Sequence, residues 1–468
     1  MLKEHGRFWW AEEKFPEGEI APARYVNGVL NISDEGQIEI ELDGLLPREK
    51  GKSAYILSQA ISPDRKIVGL LKNINKYIVA EDLLRNGGVQ SRTSISFEKF
   101  SAMRCAVLDK KPSRETKIKT IGLPLSGYED WLKSDFFPIK TFKRGFSIKR
   151  EPNRDLRAKG EHGRIALCHH LSARSFEDQD SKGLFLNEVS NLNFTPKKAV
   201  TIDEASRLNE LMQDFLSVLT GSEYRSNWPS TSFTNGAKGT IHYFRIKSDE
   251  KRPEEHRCSI PFRAIESNFC SLFFSWLTNS KEHGPGIYLY LSTKRGVRAY
   301  TEQRFFSLIS GLEALHRSTF GDQETDSYRT KLQRILADVK EANDRKWLQK
   351  RLKNAGAPSL ETRLRQLFET LPIDFREDRL NKFCGNCARA RNTLAHYGHI
   401  EKDDDPETQK IWRINEILSG LYHLLILSKI GVDKDIIKDG LRSFRFYSLR
   451  WHLEQSELIA LIEKRRRP

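Results

Sequence analysis

The sequence predicts an α+β multidomain chain: a β-rich, sandwich-like region over residues 1–295, then an all-α helical bundle over 296–468. Three observations predict it. Through the first 300 residues apolar positions alternate with period two between Gly and Pro punctuation, as short antiparallel strands require. After about residue 300 the period becomes 3.6 and stays so nearly to the end, which sets the expected boundary. With 468 residues, 38% of them hydrophobic, the chain is long enough for two or three cores and too apolar for a disordered arm.

In the first region, Val29–Ser33 and the alternation Ile38, Ile40, Leu42 flank Asp34-Glu35-Gly36 and read as a hairpin. Further strands are expected at 55–57, 67–71, 77–80, 93–97, 118–121 and 146–149, a spacing that suits a sandwich or a barrel-like domain. Leu208, Leu211, Phe215, Leu216 and Leu219 share one face and predict a helical insertion over 203–219. Strands are expected again at 240–246 and 287–291.

In the second region Phe305, Leu308, Ile309, Leu312 and Leu315 mark a first helix. Tyr328, Leu332, Ile335, Leu336 and Val339 mark a second, expected to run to about Leu352. A third spans Leu360 to Leu371, opened by the start signals Pro358-Ser359. The seam Leu380, Phe383, Cys384, Cys387 marks a fourth, continuing to about Tyr397 and stopping at a C-cap glycine, Gly398. The acidic loop Asp403-Asp404-Asp405-Pro406 precedes a fifth, marked by Ile411, Ile414, Leu418, Leu421 and Leu425.

Composition narrows the function classes. Against 63 Asp and Glu stand 78 Lys and Arg, a net +15 that calls for an anionic partner, nucleic acid first. No apolar run exceeds five residues, and runs such as Leu424–Leu427 are far short of the roughly 20 residues a membrane span needs. The opening residues hold no continuous apolar stretch with a small-residue cleavage site, so a cytoplasmic chain is expected. Six scattered cysteines form no disulfide framework. Cys384-Gly-Asn-Cys387 has no second paired motif and reads as a buried seam, and Cys168-His169-His170 has no matching cluster, so neither a metal nor another cofactor is expected. Residues 101–160 hold fifteen basic and seven acidic residues, an excess of eight, with Trp131, Phe136, Phe137, Phe142 and Phe146 interleaved. That stretch fits a surface for RNA or an acidic partner, and equally sheet edges protected by lysine. The terminal Lys464-Arg465-Arg466-Arg467 reads as a solvated tail.

The segment Arg389-Ala390-Arg391-Asn392-Thr393-Leu394-Ala395-His396-Tyr397 is where chemistry concentrates. An arginine five residues before a histidine also occurs at Arg157/His162 and Arg164/His169, so spacing alone decides nothing. The first of these lies in a charged, Gly-flanked segment that reads as loop, and the second in a strand, where five residues place the side chains on opposite faces. Arg391 instead continues the apolar seam of a long helix, four residues past Cys387. A buried unpaired guanidinium is costly, so that end of the seam should open into a cleft or meet an anion or a second subunit. Arg389, Asn392 and His396 share a neighbouring face, which places Asn392 to orient His396. Arg391 and His396 stand about 140° apart and would flank a substrate, or act across a two-fold axis, more readily than touch. As a structural pair they would need no substrate, since a histidine near a helix C-terminus is favoured in any case.

Arg391-Asn392, three residues, then His396 resembles the Arg-polar-x-x-x-His signature of HEPN domains, the helical ribonucleases of toxin and antiviral systems. FFSLISGLEALHRSTF (305–320) resembles the first HEPN helix of ApeA-type phage-defence proteins, with Glu313 at their recurrent acidic position. GRFWW near the start, NGVLNISDEGQIEIELDG and GYEDWL (127–132) resemble the ApeA N-terminal domain, so the likeness covers nearly the whole chain. The resemblance implies a metal-independent endoribonuclease of anti-phage, abortive-infection defence, cutting cellular RNA such as tRNA. Arg391 and His396 would be catalytic, Asn392 and Glu313 supporting, and Arg389 and Tyr397 RNA-binding. It further implies a homodimer through the helical domain and a phage-derived trigger bound by the N-terminal one. The alternative from a different class is a non-catalytic RNA- or protein-binding sensor whose bundle only dimerises.

Overall fold

The structure is a computed structural model. It describes the chain except residues 15–17, 48–64, 90–95, 114–115, 134–138, 144, 149–154, 179–180, 246–251, 296–299, 322–325, 353–355, 398–405 and 461–468. The expected strand at 55–57, most of that at 93–97, the Gly398 cap, most of the acidic loop and the basic tail lie outside the described residues. Two compact units divide the chain, one of Met1–Ser217 with Tyr224–Glu254 and one of Val218–Glu223 with Glu255–Pro468.

The first unit is built on β1 (Leu2–Trp10), β2 (Val26–Ile32), β3 (Ile38–Leu42), β4 (Ile67–Leu71), β5 (Lys76–Val89) and β6 (Phe97–Leu108). Of the two architectures the strand spacing allowed, a closed barrel is the one formed, in the order β6-β3-β2-β1-β4-β5 and back to β6. The length of β6 explains the closure. Along one edge it pairs with β5, while its other edge is shared, residues 98–102 with β3 and 104–108 with β14 (Lys238–Tyr243). Its second half therefore leads out of the barrel into an antiparallel extension. That extension runs outward through β14, β13 (Ser230–Phe233), β7 (Ile118–Pro124), β12 (Ser181–Pro196), β11 (Gly163–Asp178) and β10 (Leu156–Gly160). A separate hairpin joins β8 (Ile139–Phe142) to β9 (Gly145–Ile148).

Period-two patterning fills the barrel: Phe8, Trp10, Leu30, Ile32, Ile38, Ile40, Leu42 and Phe100 form one buried cluster. GRFWW is thus the core end of β1, with Trp10 Nε1 donating to the Pro47 carbonyl at 2.9 Å. GYEDWL forms a turn and the short helix α1 (Glu129–Leu132), in which Trp131 is fully buried. Gly127 there has φ +96°, and a Cβ at this position would stand 2.2 Å from the Tyr224 hydroxyl. Gly127→Ala should therefore cost about 2 kcal/mol or more in urea unfolding, from combined left-handed strain and overpacking. An unchanged midpoint would show that this turn is soft. Arg157, read from sequence as loop, sits in β10, because the Glu161-His162 turn joins β10 to β11 as a hairpin.

The helical insertion is α2 (Ile202–Thr220), anchored to β14 by Asn209, whose amide donates to the Tyr243 hydroxyl at 2.6 Å. Helices then begin earlier than the change of period at 300: α3 (Phe262–Ile265), α4 (Phe269–Glu282) and α5 (Gly284–Ser292). The strand expected at 287–291 is corrected to helix. Its Ile-Tyr-Leu-Tyr-Leu run imitates a strand, but Gly284, Gly286, Ile287, Tyr290 and Leu291 are the buried positions, a helical spacing with Pro285 in the first turn.

The remaining helices are α6 (Thr301–Phe320), α7 (Asp326–Asp338), α8 (Ala342–Leu352), α9 (Leu360–Glu369), α10 (Glu377–Tyr397), α11 (Pro406–Lys429), α12 (Lys434–Arg442) and α13 (Tyr447–Gln455). The expected second helix is two, broken after Asp338, where the Arg345 guanidinium captures the Val339 carbonyl at 2.7 Å. Ile335 and Trp347 of this hairpin are exposed. Central α6 packs on α5, α9, α10 and α11. Buried His316 fastens it to α9: Arg363 Nη1 donates to His316 Nδ1 at 3.3 Å, and His316 Nε2 lies 2.7 Å from Gln366 Oε1. An arginine can only donate, so Nδ1 accepts and the proton sits on Nε2. Ser359, the expected start of α9, caps it by accepting from the Thr362 amide.

Candidate functional site

Helix α10 carries the Arg and His pair, and its neighbours define what surrounds it. Its seam Leu380, Phe383, Cys384 and Cys387 is buried, with Cys384 and Cys387 fully so. Burial pushes the Cys384 thiol up to about 12 and holds that of Cys387 well above its ordinary value, so both are protonated packing groups at neutral pH. Helix α9 supports this seam but has ten residues, about 15 Å, against twenty-one in α10, about 32 Å. Gly385 of α10 already lies beside Glu361, in the first turn of α9. The last turns of α10 therefore run on past their support, and Arg391 sits where the seam opens, half-buried.

Arg391 forms no ion pair among the described residues; its Nη1 donates to Asn392 Oδ1 at 3.3 Å. Asn392 thus meets Arg391, and no bond from it to His396 is described. His396 and Tyr397 are in the final turn of α10, but their side chains lie outside the described residues. Arg389 is exposed, and its Nη2 donates to Asn386 Oδ1 at 2.5 Å. Glu313 of α6 accepts from Arg317 at 2.8 Å in an i,i+4 pair, and no bond joins it to Arg389 or Arg391 among the described residues. His169 of the strand pair is buried, with Nδ1 2.7 Å from Ser190 Oγ, and Arg157 bonds Asp155.

A feature that the sequence reading missed runs along the other side of α10. Between α10, α11 and residues 456–458 lies a groove of about 660 Å³. Phe383, Ile411, Ile417 and Leu458 form its buried apolar floor. Lys382, Arg389, Lys410 and Arg413 rim it, all exposed and none in an ion pair among the described residues, while Arg379 at one end is held by Asp378 and Glu457. Lys382, Asn386, Arg389 and Thr393 at helical spacing were the signal for one wall. Lys410 and Arg413, interleaved with Ile411 and Ile414, were the signal for the other. Arg391 is not part of this lining.

Among the described residues no helix is long and apolar enough to cross a membrane, and no group of three or more His, Cys, Asp or Glu could hold a metal ion. No curated protein and no solved structure matches the chain. Two family models do: Apea-like HEPN over residues 306–436, from α6 into α12, and ApeA N-terminal domain 1 over 3–276, which includes the barrel from the second residue of β1 onward. The second alone spans more than half of the sequence, and the two occur in the order that the motifs implied. The chain therefore belongs to the ApeA family, an ApeA N-terminal domain followed by an Apea-like HEPN domain.

Proposed function

We propose that this protein is a metal-independent HEPN endoribonuclease of anti-phage, abortive-infection defence, cutting cellular RNA, tRNA among it, with Arg391 and His396 as its catalytic residues. The observation that carries the proposal is Arg391 itself: a guanidinium continuing an apolar seam, without a carboxylate partner among the described residues, five positions before His396 on the same helix. Among the described residues nothing packed on α10 requires a cation there, whereas an anionic phosphodiester does.

RNA carries its own nucleophile, so the enzyme needs only to move protons and stabilise charge. His396 takes the proton from the 2′-hydroxyl, whose oxygen attacks the adjacent phosphorus while the 5′-oxygen departs and is protonated. Arg391 holds the non-bridging oxygens by paired hydrogen bonds and stabilises the charge of the pentacovalent transition state. The two sets meet in a homodimer formed through the helical domain, and the N-terminal domain binds a phage-derived trigger that releases cutting.

Incubating the purified protein with total RNA in EDTA should give fragments ending in 2′,3′-cyclic phosphate, read by mass spectrometry, and should leave DNA uncut. Fragments with 3′-hydroxyl ends, or loss of cutting in EDTA, would overturn the mechanism. RNA left whole by the wild type would favour the non-catalytic sensor.

A further inference from the structure

We propose that the groove between α10 and α11 is a nucleotide-binding subsite that seats the single-stranded stretch of the substrate RNA flanking the cut, a proposal that rests on the ribonuclease reading above. Two properties of the groove point to one chemistry. Its rim carries four exposed cations without carboxylate partners among the described residues, on both walls: Lys382 and Arg389 on one, Lys410 and Arg413 on the other. Its floor is apolar, made by Phe383, Ile411, Ile417 and Leu458. A polyanion that also presents flat apolar faces satisfies both, and unstacked RNA is such a polymer, with phosphates for the rim and bases for the floor.

A volume of about 660 Å³ takes small ligands and unstacked nucleotides but not a duplex. A second copy of the chain fits poorly. In a two-fold interface built on this groove, the four cations would face their own symmetry mates and repel them. The groove runs along the helix that bears Arg391 and His396, and Arg389 is common to its wall and to the candidate motif. An RNA strand laid in it is thereby delivered to the last turns of α10.

The test uses the full chain and a labelled, single-stranded 2′-O-methyl oligoribonucleotide, which has no attacking hydroxyl and so reports binding without cutting. Lys410→Gln with Arg413→Gln should weaken binding 10- to 100-fold and flatten the dependence of log affinity on log salt by about 1.4, near 0.7 per lost phosphate contact. On cleavable RNA the same variant should raise KM with little change in kcat. The matched control, Lys434→Gln with Lys438→Gln on α12, should shift affinity less than about 2-fold, since both lysines are exposed and neither lines the groove. Unchanged affinity and salt slope in the groove variant would overturn the proposal. So would unchanged affinity with an altered oligomeric state in sedimentation, which would make the groove a subunit interface. A wild type that binds with the expected slope yet cuts nothing would sink the ribonuclease reading and leave the groove in place; cutting with an unmoved KM would do the reverse.

Discussion

Arg391→Ala and His396→Ala should each lower RNA cutting by about 10²-fold or more, and the double variant should be little worse than either alone. Groups that serve one transition state fail together, so the test of shared work is this lack of additivity, measured as single-turnover rates. Multiplying losses would assign the two residues to separate steps. Arg391→Leu sharpens the point. It extends the apolar seam of Leu380, Phe383, Cys384 and Cys387 by one turn, at a half-buried position whose side chain makes one long hydrogen bond to Asn392. Partial burial of a leucine there should stabilise the helical unit by about 1 kcal/mol while abolishing cutting. A cation retained where leucine is more stable serves the reaction and not the fold. If Arg391→Leu destabilised the unit, the arginine would be structural.

How far the sequence reached can be judged at this helix and its neighbours. Periodicity placed α6, α9 and α10, because each buries one stripe and leaves the rest in water, and it placed α11 from the seam of its first half, although residues 421–427 are buried on every side. It failed at α5, where glycine, proline and an aromatic run carry strand-like composition and only the packing of Gly286, Ile287, Tyr290 and Leu291 reveals the helix. It merged α7 and α8, since an amphipathic stripe persists across a break made by local bonds at Val339. Barrel closure was legible only as an option: β5 meets β6 as a neighbour in sequence, but which part of the other edge of β6 takes β3 or β14 depends on pairings 56 to 139 residues apart, which no local pattern encodes. At the site, Arg391 was found because a charge on a seam is a local anomaly. The groove was not, because its walls come from two helices whose juxtaposition is tertiary. Glu313 was picked by its place in a motif, and its described bond is to Arg317, within its own helix.

Acidification should destabilise both units well before carboxylates titrate. Each contains a histidine buried in its neutral form. In the first, His242 of β14 lies against the Trp228 ring with Nε2 3.0 Å from Thr240 Oγ1, and burial, then Arg245 and the amino terminus, lower its pKa to about 4. In the second, His423 of α11 has Nε2 2.7 Å from the Val218 carbonyl, an acceptor, so the neutral ring donates there. Burial, then Lys294, lowers its pKa to about 4, although the bond to Val218 opposes the shift. The unfolded chain takes up both protons near pH 6.5, and the folded one only near 4. Between those values the unfolded state binds more protons, so stability rises with pH: it is fully present above about 6.5 and lost as pH falls toward 4. Each histidine contributes a slope of about 1.4 kcal/mol per pH unit, and about 3 kcal/mol over the whole window. His423→Gln keeps a donor for Val218 and removes the titration, so it should flatten the pH dependence of the helical unit alone, measured by urea unfolding from pH 7 to 4.5. His242→Gln should do the same for the barrel unit. Parallel slopes in wild type and variant would mean that the histidine titrates alike in both states, and that the acid sensitivity of that unit comes from its carboxylates.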